Sequence, residues 1–228
     1  VYIFVDSVGD LSRLAWTFLK SSTKNSSDLF YFSKITIMNV LLNIMSQANF
    51  TTKLLNLELI VERSGLKSGQ RVADFGCGRN GHFVFMLAKL VGNHGSVYAI
   101  DIIKSHLELV AKERDLHNLS QIKTVWSNLE LVGATNIEPA SLDASFLINI
   151  LHQTKKPLEV IKEAARISKK DAKIIIIDWS RHHSPLGPEE SSRIDRNKLV
   201  DASKKIGLYL DSEFTAGQHH FGLVLTKI

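Results

Sequence analysis

The feature that most constrains the fold is a regular alternation of short apolar segments and longer amphipathic segments from residue 54 onward. The short segments have the composition of buried strands and lie at 71–75, 96–101, 122–126, 144–150 and 173–178. Apolar residues recur at helical spacing over 54–64, 83–91, 105–116, 157–167 and 189–206. Since parallel strands need long crossover connections, this alternation predicts a mostly parallel sheet with helices on both faces.

Two further strand patterns close the chain. The segments 208–215 and 220–227 are separated only by 216–219, which predicts an antiparallel hairpin at one edge of the sheet. The expected fold is therefore α/β and Rossmann-like, with a doubly wound sheet that ends in this hairpin. The segment 130–141 has no clear period and fits a short helix or a loop.

The first 50 residues have a different pattern. Apolar clusters at 11–19 and 35–45 are separated by a Ser/Thr/Asn/Lys-rich stretch at 21–28 that is typical of a loop. Both clusters fit amphipathic helices. We expect 1–50 to form a helical arm, which packs against the rest or acts as a substrate lid or a membrane-surface segment. The remainder, 51–228, is expected to form one domain.

Composition limits the classes of protein to which the chain can belong. Its one cysteine, Cys77, excludes an internal disulfide framework and a multi-cysteine zinc site, which favours a cytoplasmic protein. The net charge of +5 comes from scattered lysines and arginines, so it permits a nucleic-acid partner without arguing for one. The sequence has neither a signal-peptide pattern nor an apolar run of the ~18–20 residues needed to span a bilayer.

A glycine-rich segment carries the strongest functional signal. Gly76, Gly78 and Gly81 follow a predicted strand and precede a predicted helix. Glycines there allow a tight turn and the close approach of a ligand to the backbone. Asp101 lies twenty residues after Gly81 at the end of the next strand, where a carboxylate can accept hydrogen bonds from ribose hydroxyls. The pattern indicates a nucleoside cofactor and leaves nicotinamide dinucleotides and other adenosine cofactors open.

Five sequence motifs in order, together with the terminal hairpin, resemble class I S-adenosylmethionine-dependent methyltransferases of the ubiquinone/menaquinone-biosynthesis type. The motifs are Asp74-Phe75-Gly76, 97–101 (VYAID), 126–129 (WSNL), 146–152 (FLINILH), and 174–179 (IIIIDW) with Gly187-Pro188. The hairpin includes His219-His220-Phe221. The resemblance covers about residues 52–228. It departs from the commoner family pattern at Arg79-Asn80, which lengthen the glycine loop by one residue, and at Asn128, where an aspartate is more usual.

The resemblance implies a seven-stranded sheet whose last strand is antiparallel, with S-adenosylmethionine (SAM) as cofactor. It places the methionine part of SAM against Asp74, Gly76, Cys77 and Gly78, with Gly81 opening the next helix. It places the ribose at Asp101, the adenine at Ile102, Asn128 and Leu129, and the methyl group near Asn149.

Methyl transfer from a sulfonium needs positioning above all, and a general base only where the nucleophile carries a proton. The sequence therefore assigns no catalytic residue. His152, Asp178 and Trp179 follow or end predicted strands and are candidates for the substrate pocket. Structural roles are expected for His219-His220, and no metal site is predicted.

The expected acceptor is a small molecule, with protein or RNA substrates left open. Two other interpretations remain: a non-catalytic cofactor-binding module of the same fold, and an NAD-dependent oxidoreductase. The predicted antiparallel hairpin favours a methyltransferase over an oxidoreductase.

Overall fold

The computed structural model describes residues 54–184 and 186–228, which form a seven-stranded sheet flanked by helices. The predicted arm at 1–50 lies outside the described residues. Within the described part, no helix is both long enough and apolar enough to cross a membrane.

The sheet has the predicted mixture of parallel and antiparallel strands. Its members are β1 (Arg71–Phe75), β2 (Ser96–Asp101), β3 (Ile122–Trp126), β4 (Leu142–Ile148), β5 (Ser168–Trp179), β6 (Leu208–Gly217) and β7 (His220–Lys227). Across the sheet the order is β3-β2-β1-β4-β5-β7-β6. The first five strands pair in parallel, whereas β7 runs antiparallel to both β5 and β6.

The described region contains five α-helices, of which the first precedes β1 and the other four connect strands. They are α1 (Leu57–Ser64), α2 (His82–Val91), α3 (Lys104–Leu116), α4 (Pro157–Ile167) and α5 (Arg196–Lys204). Two single-turn 3-10 helices, Leu151–Gln153 and Glu190–Ser192, follow β4 and precede α5. Local signals set the helix ends: the Asn56 side chain caps α1, Gly65 ends it in a left-handed conformation, and Pro157 lies in the first turn of α4.

The core lies around β1, β4 and β5. The four isoleucines at 174–177 of β5 are all fully buried, as expected for a strand covered on both faces. The chain leaves β1 toward β2 on one side and later returns to place β4 on the other. The strand order thus reverses beside β1, and ligands in such sheets bind outside the carboxyl ends of the strands at this reversal. We call the region at the carboxyl ends of the parallel strands the carboxyl edge, as distinct from the lateral edge of the sheet that the hairpin forms.

The prediction of one long helix over 189–206 is wrong. The chain instead forms the short turn Glu190–Ser192, and α5 begins only at Arg196. Asp195 is responsible because its side chain accepts hydrogen bonds from the backbone N–H groups of Asn197 and Lys198, which is the geometry of a helix start.

Two smaller differences concern the loops. The segment 130–141 contains no helix, because the buried Glu163 carboxylate of α4 accepts hydrogen bonds from the N–H groups of Gly133 and Thr135. Burial alone would raise the pKa of Glu163, but these bonds and the Arg166 guanidinium lower it to about 2. Strand β4 ends two residues earlier than predicted, at Ile148, since Asn149 adopts a positive φ of 54°.

Candidate active site

The glycine loop after β1 turns back over the carboxyl edge. The backbone N–H groups of Gly76 and Cys77 both donate to the carbonyl of Ile100 on β2, at 2.8 and 3.0 Å. Gly76 has φ 77°, and a Cβ there would lie 2.5 Å from Cδ1 of Ile150. Only glycine fits this position, where the loop meets the residues that follow β4.

The end of the loop is equally tight. A Cβ on Gly81 would lie 2.8 Å from Cγ2 of Val110 on α3, so glycine lets the start of α2 pack closely. A Cβ on Gly78, by contrast, would meet open space. Arg79 is exposed. The loop therefore presents the backbone around Gly78 to an open region.

Asp101 at the end of β2 joins the loop to the second strand. One carboxylate oxygen accepts from the N–H of Gly78 at 2.9 Å, and the other accepts from the N–H of Ile103 at 2.9 Å. The ring of His106 on α3 lies 3.4 Å from the first of these oxygens. The oxygen that accepts from Ile103 makes no other hydrogen bond among the described residues, so Asp101 can also accept from an added hydroxyl group there.

Asp74 lies beneath the same loop. It is 3% exposed, and burial together with the Asp101 charge raises its pKa to about 7. The thiol of Cys77 is buried against the same two carboxyls, which raises its pKa and keeps it protonated. A cation beside Asp74 would favour the ionised carboxylate, so the local electrostatics suit a positively charged ligand.

The ends of β2 and β3 form the neighbouring part of the edge. Ile102 is 53% exposed, and its carbonyl accepts from the indole N–H of Trp126 at 2.8 Å. The side-chain oxygen of Asn128 accepts from the N–H of Glu130 at 3.0 Å. Leu129 is buried in the main core. The structure thus places Ile102 and Asn128 at the edge, whereas Leu129 packs inside.

Asn149 follows β4 at the centre of the edge. Its backbone N–H donates to the carbonyl of Ile177 at 2.8 Å, and its carbonyl accepts from the Gln153 side chain. The side-chain oxygen is buried, and it has no hydrogen-bond partner among the described residues. The hydroxyl of Ser127, after β3, is in the same condition. Buried polar atoms are nearly always paired, so these two atoms mark positions at which a ligand group can bind.

His152 and Asp178 form a pair at the ends of β4 and β5. Nδ1 of His152 lies 2.7 Å from one carboxylate oxygen of Asp178, and the backbone N–H of His152 donates to the other at 3.2 Å. Asp178 is fully buried and also accepts from the N–H of Trp179. An Nδ1–H that donates to Asp178 leaves the lone pair on Nε2, the arrangement required of a general base.

Trp179 and its surroundings were only partly predicted. The indole is buried: a Cβ on Gly187 would lie 2.5 Å from it, and the Arg193 guanidinium carbon lies 5.7 Å from its centre. The ring of His220 lies 4.2 Å from the indole, between centroids. Trp179 thus packs against His220 and Arg193.

Sequence reasoning missed Arg193. This side chain is 5% exposed and donates to four backbone carbonyls, those of Ser180, His182, Leu186 and Pro188. It therefore holds together the loop that follows β5. No local signal could have identified it, because the helical spacing over 189–206 indicated an ordinary helix surface.

His182 and His219 lie in the loops that follow β5 and precede β7. Nε2 of His182 is 3.4 Å and the hydroxyl of Ser184 is 3.2 Å from Nδ1 of His219. Within 54–184 and 186–228, no group of three or more His, Cys, Asp or Glu side chains could hold a metal ion.

Comparison with known proteins agrees with this geometry. Residues 66–212 match a family model described as a methyltransferase domain. Two curated relatives are 2-phytyl-1,4-naphtoquinone methyltransferases. The one from Nostoc punctiforme is 30% identical to this chain over 128 residues, and the one from Synechococcus elongatus is 30% identical over 144 residues. These matches cover 56% and 63% of this chain but only 54% and 60% of the relatives' lengths.

Solved structures show the same fold. A SAM-dependent methyltransferase from Aquifex aeolicus superposes with a TM-score of 0.71 at 22% identity, covering 82% of this chain and 97% of that one. The seven-stranded, mostly parallel sheet with antiparallel β7 confirms the fold that the sequence predicted.

Proposed function

This chain belongs to a family of methyltransferase domains, and we propose that it is a class I SAM-dependent enzyme of the quinone-biosynthesis type that transfers a methyl group from SAM to a small-molecule acceptor. The observation that carries the proposal is the contact between the glycine loop and Asp101, made by the Gly78 N–H. It joins a backbone open to a ligand with a carboxylate that can still accept hydrogen bonds.

The residues present fit SAM. Asp74 and Asp101 lie under and beside the loop and favour a cationic ligand, while the side-chain oxygen of Asn149 is buried and unpartnered. When bound, SAM supplies a methyl group activated by a positively charged sulfur.

We assign the individual contacts to SAM as follows. The methionine part is held by Asp74, Gly76, Cys77 and Gly78, with Gly81 fixing the start of α2. Asp101 binds the ribose. Ile102 and Asn128 meet the adenine, with Leu129 supporting them from the core, and Asn149 lies near the methyl group.

His152 and Asp178 supply the base. Nε2 of His152 takes the proton of an acceptor hydroxyl, and the electron pair of that O–H bond stays on the acceptor oxygen. The imidazolium that forms is stabilised by Asp178, whose oxygen lies 2.7 Å from Nδ1. Deprotonation makes a phenolic acceptor more nucleophilic at its oxygen and at the ring carbons ortho to that oxygen. Trp179 supports this side of the pocket by packing.

A quinol is the acceptor class that we favour. Both curated relatives are named for a naphtoquinone acceptor. The reduced form of such a ring carries hydroxyl groups that a neutral histidine can deprotonate, which suits the His152–Asp178 pair.

The first experiment is isothermal titration calorimetry of the full chain with S-adenosylhomocysteine, with NAD as the control. Micromolar binding of the former alone supports the cofactor assignment, whereas binding of NAD alone would contradict it. Transfer of labelled methyl from SAM to 1,4-dihydroxynaphthalene under anaerobic conditions then tests the acceptor. Binding without transfer to this or any other small acceptor would favour a non-catalytic module or a protein or RNA acceptor.

A further inference from the structure

His220 occupies an unusual position for a residue of the last strand. Because β7 runs antiparallel to β5, its first residue lies at the carboxyl edge, paired in register with Trp179. Asp178 and His152 are near enough to influence the His220 ring electrostatically. The last strand thus contributes a side chain to the same edge as the proposed base.

The imidazole of His220 has no partner of its own. It is 1% exposed, and neither ring nitrogen has a hydrogen-bond partner among the described residues. Both oxygens of Asp178 are already engaged by His152 and by the N–H of Trp179. Burying a polar group without a hydrogen bond is unfavourable, so a ring in this condition is better explained by a ligand than by packing alone.

The ring is neutral at physiological pH. Burial lowers the pKa of His220 to about 4; the Asp178 charge opposes this, and His219, His152 and Arg193 reinforce it. A neutral imidazole offers one N–H donor and one nitrogen acceptor. It therefore suits an uncharged hydroxyl or carbonyl group better than a carboxylate or phosphate.

The surroundings of the ring point the same way. His220 borders a cleft of about 400 Å³, together with Ser180, His182, Thr215 and the pair Arg196–Glu213. Arg196 lies 3.6 Å from Glu213, so its charge is already compensated. The cleft is polar without a free cation among these residues, which is unsuited to a strongly anionic ligand.

The position of the ring is fixed by its neighbours. Trp179 packs against His220 at 4.2 Å and is itself covered by Gly187 and Arg193. Arg193 in turn binds four carbonyls of the loop after β5. Such support is what a binding group needs to stay in one orientation.

We propose that His220 hydrogen-bonds an uncharged hydroxyl or carbonyl oxygen of the methyl acceptor, and that Trp179 is the residue that positions its ring. The proposal rests on the proposed function, since it concerns the acceptor of that same site. It adds a specificity-determining contact, since His220 would hold a second oxygen of the acceptor at the same carboxyl edge as the proposed base, His152.

The test uses two substitutions at one position. His220→Phe keeps a planar ring against Trp179 but removes both polar atoms, and His220→Gln keeps a donor and an acceptor. We expect His220→Phe to raise the KM for 1,4-dihydroxynaphthalene about tenfold, and His220→Gln to recover part of the loss. The Kd for S-adenosylhomocysteine should stay within about twofold in both. His94→Phe, at an exposed turn before β2, is the matched control.

A second measurement does not depend on turnover. Ring nitrogen signals of His220 are followed by NMR in the full chain saturated with S-adenosylhomocysteine, while 1,4-dihydroxynaphthalene is added. A shift of the His220 signals, absent for His94, supports the proposal. Unchanged His220 signals, or an unchanged KM in His220→Phe, would overturn it. Failure of the proposed function would be seen separately, as loss of S-adenosylhomocysteine binding by the unsubstituted chain.

Discussion

The two halves of the carboxyl edge differ in whether backbone or side-chain groups make their main contacts. On the β1–β2 half, which we call the cofactor side, the key contacts are made by backbone groups: the N–H groups of Gly76, Cys77 and Gly78 reach Ile100 and Asp101. On the β4–β5–β7 half, the acceptor side, side chains contact other side chains, as His152 does with Asp178. Where backbone groups make the contacts, their positions are fixed by glycine spacing and strand pairing. Where side chains make the contacts, their positions are fixed by the packing of the whole fold.

The largest effect is expected from a substitution on the acceptor side that should lower turnover without changing cofactor binding. His152→Gln removes the proposed proton acceptor, so turnover with a phenolic acceptor should fall about 10²–10⁴-fold. Calorimetry should show unchanged S-adenosylhomocysteine binding, because the hydrogen bonds of His152 among the described residues go to Asp178 and not to the glycine loop. Equal loss of turnover and of cofactor binding would show that the two sides are not independent.

The next effect concerns what holds the acceptor side together. Arg193→Leu leaves four carbonyls without their donor and should lower the free energy of unfolding by about 3 kcal/mol. Urea denaturation measures this loss. Arg181→Leu is the matched control, since its exposed contact with Asp195 at 3.4 Å should contribute less than about 1 kcal/mol. Similar losses in both variants would contradict the role given to Arg193.

Asp101→Asn tests the cofactor side with a nearly isosteric change. It removes the charge that reinforces the hydrogen bonds to Gly78 and Ile103 and to a bound ribose. Hydrogen bonds to charged groups contribute about 1.5–3 kcal/mol, so the Kd for S-adenosylhomocysteine should rise about 10- to 150-fold. The KM for the acceptor, measured at saturating SAM, should change little. A selective rise in that KM would reverse the assignment of the two sides.

The smallest effect is a pH dependence of cofactor binding. Asp74, with a pKa of about 7, is protonated below that pH and ionised above it. The ammonium group of the ligand favours the ionised form, so affinity for S-adenosylhomocysteine should rise about tenfold between about pH 6 and pH 8. Asp74→Asn should abolish this rise, because it removes the only group to which the rise is assigned. Persistence of the rise in Asp74→Asn would exclude Asp74 as its source.

The same contrast explains what could be predicted from the sequence. The proximity of Gly76, Gly78 and Asp101 could be predicted from spacing, because strand–turn–helix geometry brings such residues together wherever it forms. His152 and Asp178 were predicted one at a time, but their hydrogen bond was not, since it depends on the register between β4 and β5.

The remaining features lay beyond pattern reasoning. Helical spacing over 189–206 concealed the buried role of Arg193, because periodicity does not report a side chain that turns back to bind a loop. His220 was expected to be structural, since its lack of partners emerges only when Trp179 and Asp178 pack around it. The mostly parallel sheet with a closing hairpin, by contrast, was predicted from the alternation of elements, whereas the strand order became visible only in the structure.

Because side chains alternate between the two faces along β7, the orientation of His220 depends on which residues of that strand face the core. Phe221, Leu223 and Leu225 face the main core, so His220 must belong to the alternate set on that strand. A single residue inserted within β7 would move either these three or His220 to the opposite face. An insertion in the turn before β7 could therefore be tolerated, whereas an insertion within β7 would not be. The strand thus fixes the position of His220 relative to the core.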